Sequence, residues 1–273
     1  MNKTEVSTVC VKPRRFRALA WRFFAFVSQH TQHVPRMTVL LYHSIDTGSD
    51  FFSVSPEEFR WQLETIKKNA DFVPLSRAFL HANGESVTRD SVAITFDDGY
   101  RNFLTNVLPI AKELGVPVTV FVLGENPDRS QLENDVPLMS PDDIRTLSNE
   151  PLVSVGSHAL THRKLTRLSA SECKDELEGS RAMILKQSGK LPEYIAYPKG
   201  NYNDMVLEAV QIAGFSGGCS VIERGVSVGD NMYALPRIQV DSSTTRSLFK
   251  AKLTRAADMY YAFWSLLKRQ KAK

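Results

Sequence analysis

Val92-Ala93-Ile94-Thr95-Phe96-Asp97-Asp98-Gly99-Tyr100 reads as a buried strand that runs directly into two adjacent carboxylates. Two like charges side by side at the end of a buried run are costly unless something positive lies beside them. A divalent metal is the simplest positive partner, and the chain offers matching ligands further along, at His158 and His162. Asp-Asp-Gly is also common turn chemistry, in which one aspartate caps the following helix. That second reading employs one carboxylate and leaves the other without a role. The metal reading employs both, one as ligand and one as free base, and points to a metal-dependent hydrolase.

Working outward, strand and helix signals alternate. Met37 to Tyr42 is a β-rich apolar run, and Ser55-Pro56-Glu57-Glu58 is a helix start with Ser55 as N-cap, Pro56 at the first position and Glu58 closing a capping box. Asn83-Gly84 marks a turn before the acidic strand. Tyr100 to Leu114 is expected as one helix ended by Gly115, followed by a strand from Val118 to Leu123 and a polar loop from Gly124 to Pro137. Ser140-Pro141-Asp142-Asp143 starts another helix, Leu152 to Val155 is a strand, and Ser169 to Gln187 is helical. Tyr194 to Tyr197, Phe215 to Val221 and Tyr233 to Val240 read as strands, with a helix from Asp204 to Ala213 stopped by Gly214. From Thr244 onward the chain reads as helical to its end. Repeated β-α units imply an α/β fold with a parallel sheet, open or closed into a barrel, and the chemistry-bearing residues all fall at strand ends.

With 273 residues, 42% apolar and 23% charged, the chain has the composition of a soluble globular protein with one substantial core, not of a disordered one. The net charge of +4 is concentrated at the ends, in Lys12, Arg14, Arg15, Arg17 and Arg22 and in Lys268, Arg269, Lys271 and Lys273. No basic stripe with interleaved aromatics crosses the middle, so no nucleic-acid partner is expected. Cys10, Cys173 and Cys219 are far apart and lack C-x-x-C spacing, which argues against a disulfide framework or thiolate metal site and favours a reducing compartment. Arg22 interrupts the apolar stretch from Trp21 to Val27, so there is no clear secretion signal, and no run reaches transmembrane length. Arg14 to Val27 fits two readings: a basic, aromatic helix lying on an anionic membrane surface, or a helix packing Trp21, Phe24 and Val27 onto the main domain. Met259 to Leu267, followed by basic residues, poses the same choice. The expected location is cytoplasmic, with peripheral association at the inner membrane as an option.

His158-Ala159-Leu160-Thr161-His162 places two imidazoles four residues apart, and on a helical turn both would reach one cation. Ala159 stands where the zincin motif needs a glutamate, so that motif is excluded. An Asp-His-His set with open positions suits Zn²⁺ or another first-row divalent ion.

Thr95-Phe96-Asp97-Asp98-Gly99-Tyr100 together with Ser157-His158-Ala159-Leu160-Thr161-His162 resembles the polysaccharide deacetylases, the NodB-homology group of carbohydrate esterase family 4. The resemblance covers roughly Thr38 to Val240. It implies a distorted (β/α) barrel of the NodB-homology type, a single domain with helical N- and C-terminal extensions, and removal of acetyl groups from an N-acetylated glycan. The boundaries expected are 1–36 for the basic segment, 37–242 for the catalytic domain and 243–273 for the C-terminal extension. By the resemblance, Asp97 is the general base and Asp98, His158 and His162 hold a divalent metal, most simply Zn²⁺.

The chain departs from the family pattern twice. Where the family reads R-x-P-Y-G, it has Ala196-Tyr197-Pro198-Lys199-Gly200-Asn201-Tyr202, so the arginine that tethers the base is missing. Arg237 is the candidate substitute, because an arginine fork orients a carboxylate bidentately; an ordinary surface salt bridge is its alternative. Contacts to oxyanion and substrate then fall to Lys199 and Tyr202. The family's late histidine, the general acid, is also absent, since no histidine follows His162. Leu41-Tyr42-His43-Ser44-Ile45 is similar to the Y-H-x-I segment of the branch with permuted motifs that acts on poly-N-acetylglucosamine-type glycans, and implies His43 as the acid. Two competing readings stay open: a deacetylase of a lipid-linked or lipopolysaccharide sugar at the cytoplasmic membrane face, and a non-catalytic glycan-binding protein on the same fold.

Overall fold

The strand carrying the aspartates lies inside a parallel sheet, held on both sides. The computed structural model describes residues 14–271 apart from positions 31, 49, 126, 128–131 and 133–135. Cys10, Lys12, Lys273 and most of the Gly124-to-Pro137 loop lie outside the described residues. The strands are β1 (Met37–Tyr42), β2 (Ser44–Ile45), β3 (Ser53–Val54), β4 (Asp71–Phe72), β5 (Ser91–Phe96), β6 (Val118–Val122), β7 (Val153–Ser157), β8 (Tyr194–Ala196), β9 (Gly217–Cys219) and β10 (Ile238–Gln239). The helices are α1 (Arg14–Gln29), α2 (Pro56–Asn69), α3 (Ser76–Ala82), α4 (Leu108–Leu114), α5 (Pro141–Leu147), α6 (Ala170–Ser188), α7 (Asp204–Ile212), α8 (Arg246–Lys252) and α9 (Ala256–Lys271).

The main sheet runs β10-β1-β5-β6-β7-β8-β9, all parallel, and β4 pairs the start of β5. A parallel bridge between Cys219 and Leu235 ties β9 to the segment entering β10, which curls the order back on itself. This is the expected distorted (β/α) barrel of the NodB-homology type, built as one domain.

Alternation along the strands sorts side chains between two cores. Leu40 and Tyr42 join Val92, Ile94 and Phe96 in the layer under the surrounding helices. Met37, Val39, Ala93, Phe121, Ala196, Cys219 and Leu235 fill the interior, where Leu75, Ala78 and Phe79 from the α3 region close the lower end. The inner row of β5 begins at Ala93 and reaches Thr95 and Asp97 by steps of two. The first aspartate therefore belongs to the barrel interior by register alone. β6 and β7 contribute a second consequence of register: Phe121 faces Gly156, and a Cβ at Gly156 would stand 2.5 Å from the Phe121 ring.

Local signals mostly hold, and the exceptions have physical causes. Met37–Tyr42 and the helix starts at Ser140 and Ser169 form as expected, both starts with reciprocal capping boxes. At Ser55 half of the expected box forms: its hydroxyl accepts from the Glu58 N–H, while the Glu58 carboxylate turns to Arg246 at 2.7 Å. The helix expected from Tyr100 to Leu114 instead has a π-helical turn, Phe103–Val107, before α4. Pro109 supplies no N–H for the regular ladder, and wider spacing there absorbs the gap. The strand expected from Tyr233 to Val240 contracts to β10, because Ala234 closes a turn onto the Asn231 carbonyl and Leu235 makes only an isolated bridge to Cys219, donating to Gly218 and accepting from Ser220. The helix expected from Thr244 breaks between α8 and α9, where the Thr254 hydroxyl accepts from the Ala256 N–H and starts a new helix.

Candidate active site

Asp97 and Asp98 are both buried at the C-terminal end of β5, and they have opposite surroundings. Asp97 is clamped by Arg237, whose Nη1 and Nη2 donate to its two oxygens at 2.7 Å each. Arg237 is 0% exposed and directs two further donors to the Ser220 carbonyl at 3.0 Å and the Thr95 hydroxyl at 3.2 Å. Its guanidinium lies 5.5 Å from the centroid of the Phe121 ring, an apolar floor that suits a planar cation. Arg237 thus forms a buried, bidentate ion pair with Asp97 rather than a salt bridge at the surface.

Asp98 has no hydrogen bond to either oxygen, although both are buried. Its Oδ1 stands 3.3 Å from Nε2 of His158 and 3.3 Å from Nε2 of His162. His158 Nδ1 is 2.8 Å from the Ala196 carbonyl. A carbonyl can only accept, so Nδ1 carries the hydrogen and the Nε2 lone pair of neutral His158 faces the carboxylate. A lone pair facing a carboxylate is an arrangement that a cation between them would relieve. Ligands about 2.1 Å from a tetrahedral ion are spaced about 3.4 Å apart. The three residues, all buried and with ligand atoms within 4.8 Å of one another, fit such an ion.

Electrostatics follow this division. Burial pushes the Asp97 carboxyl up, but the Arg237 charge, His158 and the Arg237 hydrogen bonds outweigh it and hold it below its usual range. Burial also opposes ionisation of Asp98, yet the facing imidazoles of His158 and His162, then the charge of His43, hold it well below that range. Burial would lower His158, and the two aspartates raise it instead.

The segment His158 to His162 is not the helical turn that its spacing suggests. Ala159 and His162 have φ of 67° and 62°, and the segment is an open loop. Glu176 of α6, itself 4% exposed, shapes it: one oxygen accepts from the Leu160 and Thr161 N–H groups at 3.0 Å each, and the other accepts from the Thr161 hydroxyl. Asp98 and Lys199 have φ of 72° and 60°, so all four non-glycine residues with positive φ among the described residues lie in these strand-end loops. Such conformations persist only where surrounding contacts over-determine them.

His43 follows β1 beside the acidic turn: Asp97 N–H donates to the Tyr42 carbonyl at 2.9 Å, and the charge of His43 acts on both aspartates. Its ring packs on Phe52 at 4.9 Å, and its buried Nδ1 has no hydrogen-bond partner. Lys199, exposed after Pro198, also stands at the rim. Tyr202 is half-buried and packs against Tyr197 at 5.7 Å, in the cluster that also holds Ala159 of the histidine loop and Val206 of α7. Spacing did not single out Glu176, Thr95, Ser220 or Phe121. Only the threonine carried a signal, as the inward residue two before Asp97.

Comparison with known proteins agrees with this arrangement. The family model for polysaccharide deacetylase matches residues 84–218. The poly-beta-1,6-N-acetyl-D-glucosamine N-deacetylase of Staphylococcus aureus is 28% identical over 73% of this chain and 71% of its own length. Among solved structures, the deacetylase PplD of Streptococcus pyogenes superposes with a TM-score of 0.70 at 21% identity, covering 81% of this chain and 99% of that one. IcaB from Ammonifex degensii gives 0.70 at 21% identity, over 81% and 98%. Motif, barrel and matched span converge on one statement: the chain carries a polysaccharide deacetylase domain of the NodB-homology group, carbohydrate esterase family 4.

Proposed function

We propose that the chain is a metal-dependent N-deacetylase acting on a glycan of the poly-β-1,6-N-acetylglucosamine type. The observation that carries this reading is the pairing of an arginine-clamped Asp97 with the unsatisfied Asp98 beside two histidines. One carboxylate is held ready as a base and its neighbour is left in need of a cation. The choice of glycan is supported by the named substrate of the Staphylococcus aureus relative and by the position of His43 after β1.

A divalent cation held by Asp98, His158 and His162 would polarise the acetyl carbonyl and acidify water. Asp97 takes a proton from the attacking water at a carboxylate oxygen, with Arg237 fixing that oxygen's direction. The backbone N–H of Lys199 donates to the oxygen that gains charge as the carbonyl carbon becomes tetrahedral. His43 gives a proton to the sugar nitrogen as the C–N bond breaks. Acetate and a free amine leave, and the amine takes up a further proton from solvent at neutral pH.

The test is acetate release from N-acetylated glycan oligomers, run with and without chelator and with His43→Ala. Release from β-1,6-linked oligomers that chelator stops, and that His43→Ala slows by about 10²-fold in kcat, is expected. Acetate from no glycan, with no zinc bound, would leave a glycan-binding protein instead. An unchanged kcat in His43→Ala would return that histidine to a structural role.

A further inference from the structure

Helices α1 and α9 form a layer outside the barrel whose inner and outer faces are made of different aromatic residues. On the inner face, Trp21 is 7% exposed and stacks on Tyr260 at 4.4 Å, and Phe24 meets Tyr260 edge-on at 6.4 Å. Lys252 of α8 lies 5.9 Å from the Trp21 ring. These contacts account for the attachment of α1.

They leave Leu19, Phe23 and Phe26, at i, i+4 and i+7, on the other side, exposed by 66%, 60% and 64%. Phe263 and Leu266 of α9 are exposed too, and the two sets meet through Phe24, which lies 5.4 Å from Phe23 and 5.7 Å from Phe263. Three of the four exposed phenylalanines among the described residues belong to this face. A helix that served only to pack would turn polar residues outward here.

Charge identifies what covers the face. The sequences of α1 and α9 hold seven basic residues, Arg14, Arg15, Arg17, Arg22, Lys268, Arg269 and Lys271, against one acidic residue. That residue, Asp258, is engaged by Arg36 at 2.9 Å. The whole chain has a surplus of only four, so the rest of the molecule is slightly acidic and the positive charge is local. Among the described residues no helix is long and apolar enough to cross a membrane. An aromatic stripe within a basic helix pair suits an interface where apolar side chains enter the acyl boundary and cations meet headgroups.

We propose that the outer face of α1 and the adjoining part of α9, with Leu19, Phe23, Phe26, Phe263 and Leu266, dock peripherally on an anionic lipid surface. Arg36, just before β1, ties α9 to the end of the sheet opposite His43 and Asp97, so docking leaves the catalytic rim open. The surface is independent of the reaction proposed above.

The experiment is flotation of the full chain with vesicles of phosphatidylcholine alone or mixed with phosphatidylglycerol, at low and high salt. Binding about tenfold stronger to the mixed vesicles, weakened by salt, is expected. The double variant Phe23→Ser, Phe26→Ser should lose about tenfold or more of that binding while keeping its thermal unfolding midpoint and its activity on soluble oligomers. Arg22→Glu should weaken binding by a smaller factor. Binding to neither vesicle overturns the proposal. So does self-association that the double variant abolishes without any vesicle binding, which would assign the face to a second copy. Equal, salt-insensitive binding to both vesicles overturns the anionic preference.

Discussion

The two loops that make the candidate site, the acidic turn after β5 and the histidine loop after β7, are both strained and are held by different means. The acidic turn is pinned from inside the barrel, where Arg237 reaches across to Asp97 from the start of β10. The histidine loop is pinned from outside, by Glu176 of a surface helix bonding to its backbone. One device orients a side chain, and the other shapes a main chain so that two imidazoles converge. Asp97 and the two imidazoles are therefore separately supported, and each support can be removed without directly dismantling the other.

The sharpest way to separate them is Asp97→Asn. Turnover should fall by about 10² to 10⁴-fold while zinc still binds with one-to-one stoichiometry, as followed by acetate release and metal titration. Loss of the metal in this variant would show that the two halves are one unit. Next comes Glu176→Ala, which removes the acceptor of the loop's N–H groups. Zinc affinity should drop by about 10 to 100-fold, with partial recovery in Glu176→Gln. Activity at saturating zinc should return most of the way, because the Arg237–Asp97 pair is untouched; an unchanged affinity would reduce Glu176 to a packing residue.

The smallest effect should come from Arg237→Lys, and it is a shift rather than a loss. Burial alone pushes the Asp97 carboxyl up, and the arginine charge is the strongest influence opposing it. A lysine keeps one charge and loses the fork, so the carboxyl rises toward ordinary values. A base works in its ionised form, so the acid limb of kcat/KM should move to higher pH with metal affinity unchanged. A limb that stays in place would mean that Asp97 is not the group titrating there.

Much of this arrangement is legible in the chain because it rests on local rules. The run Met37 to Tyr42 and the Ser-led helix starts obey propensity and capping, and the aspartates announce themselves by their cost. Asp97 even declares its direction through alternation from Ala93 and Thr95. Arg237 is legible as a candidate partner for Asp97 because the Tyr197-Pro198 segment lacks an arginine, and closure of the sheet brings the two together. The rest depends on tertiary contacts. H-x-x-x-H suggested a helix, but the left-handed conformations of Ala159 and His162 arise from a glutamate that looks like any other residue of α6.

Gly156 bears no charge and touches no proposed substrate, yet it constrains how this family member can diverge. Alanine there would press a methyl group into the Phe121 ring, and the ring is the surface on which the Arg237 guanidinium rests. A lineage could keep Asp98, His158 and His162 and still displace Asp97 through one silent-looking exchange on a middle strand. A side chain at position 156 therefore requires the Phe121 ring to move and the Tyr194 carbonyl, 3.1 Å from the same Cβ, to give way. Tolerance to change in this barrel follows the stacking of its interior rather than distance from the chemistry.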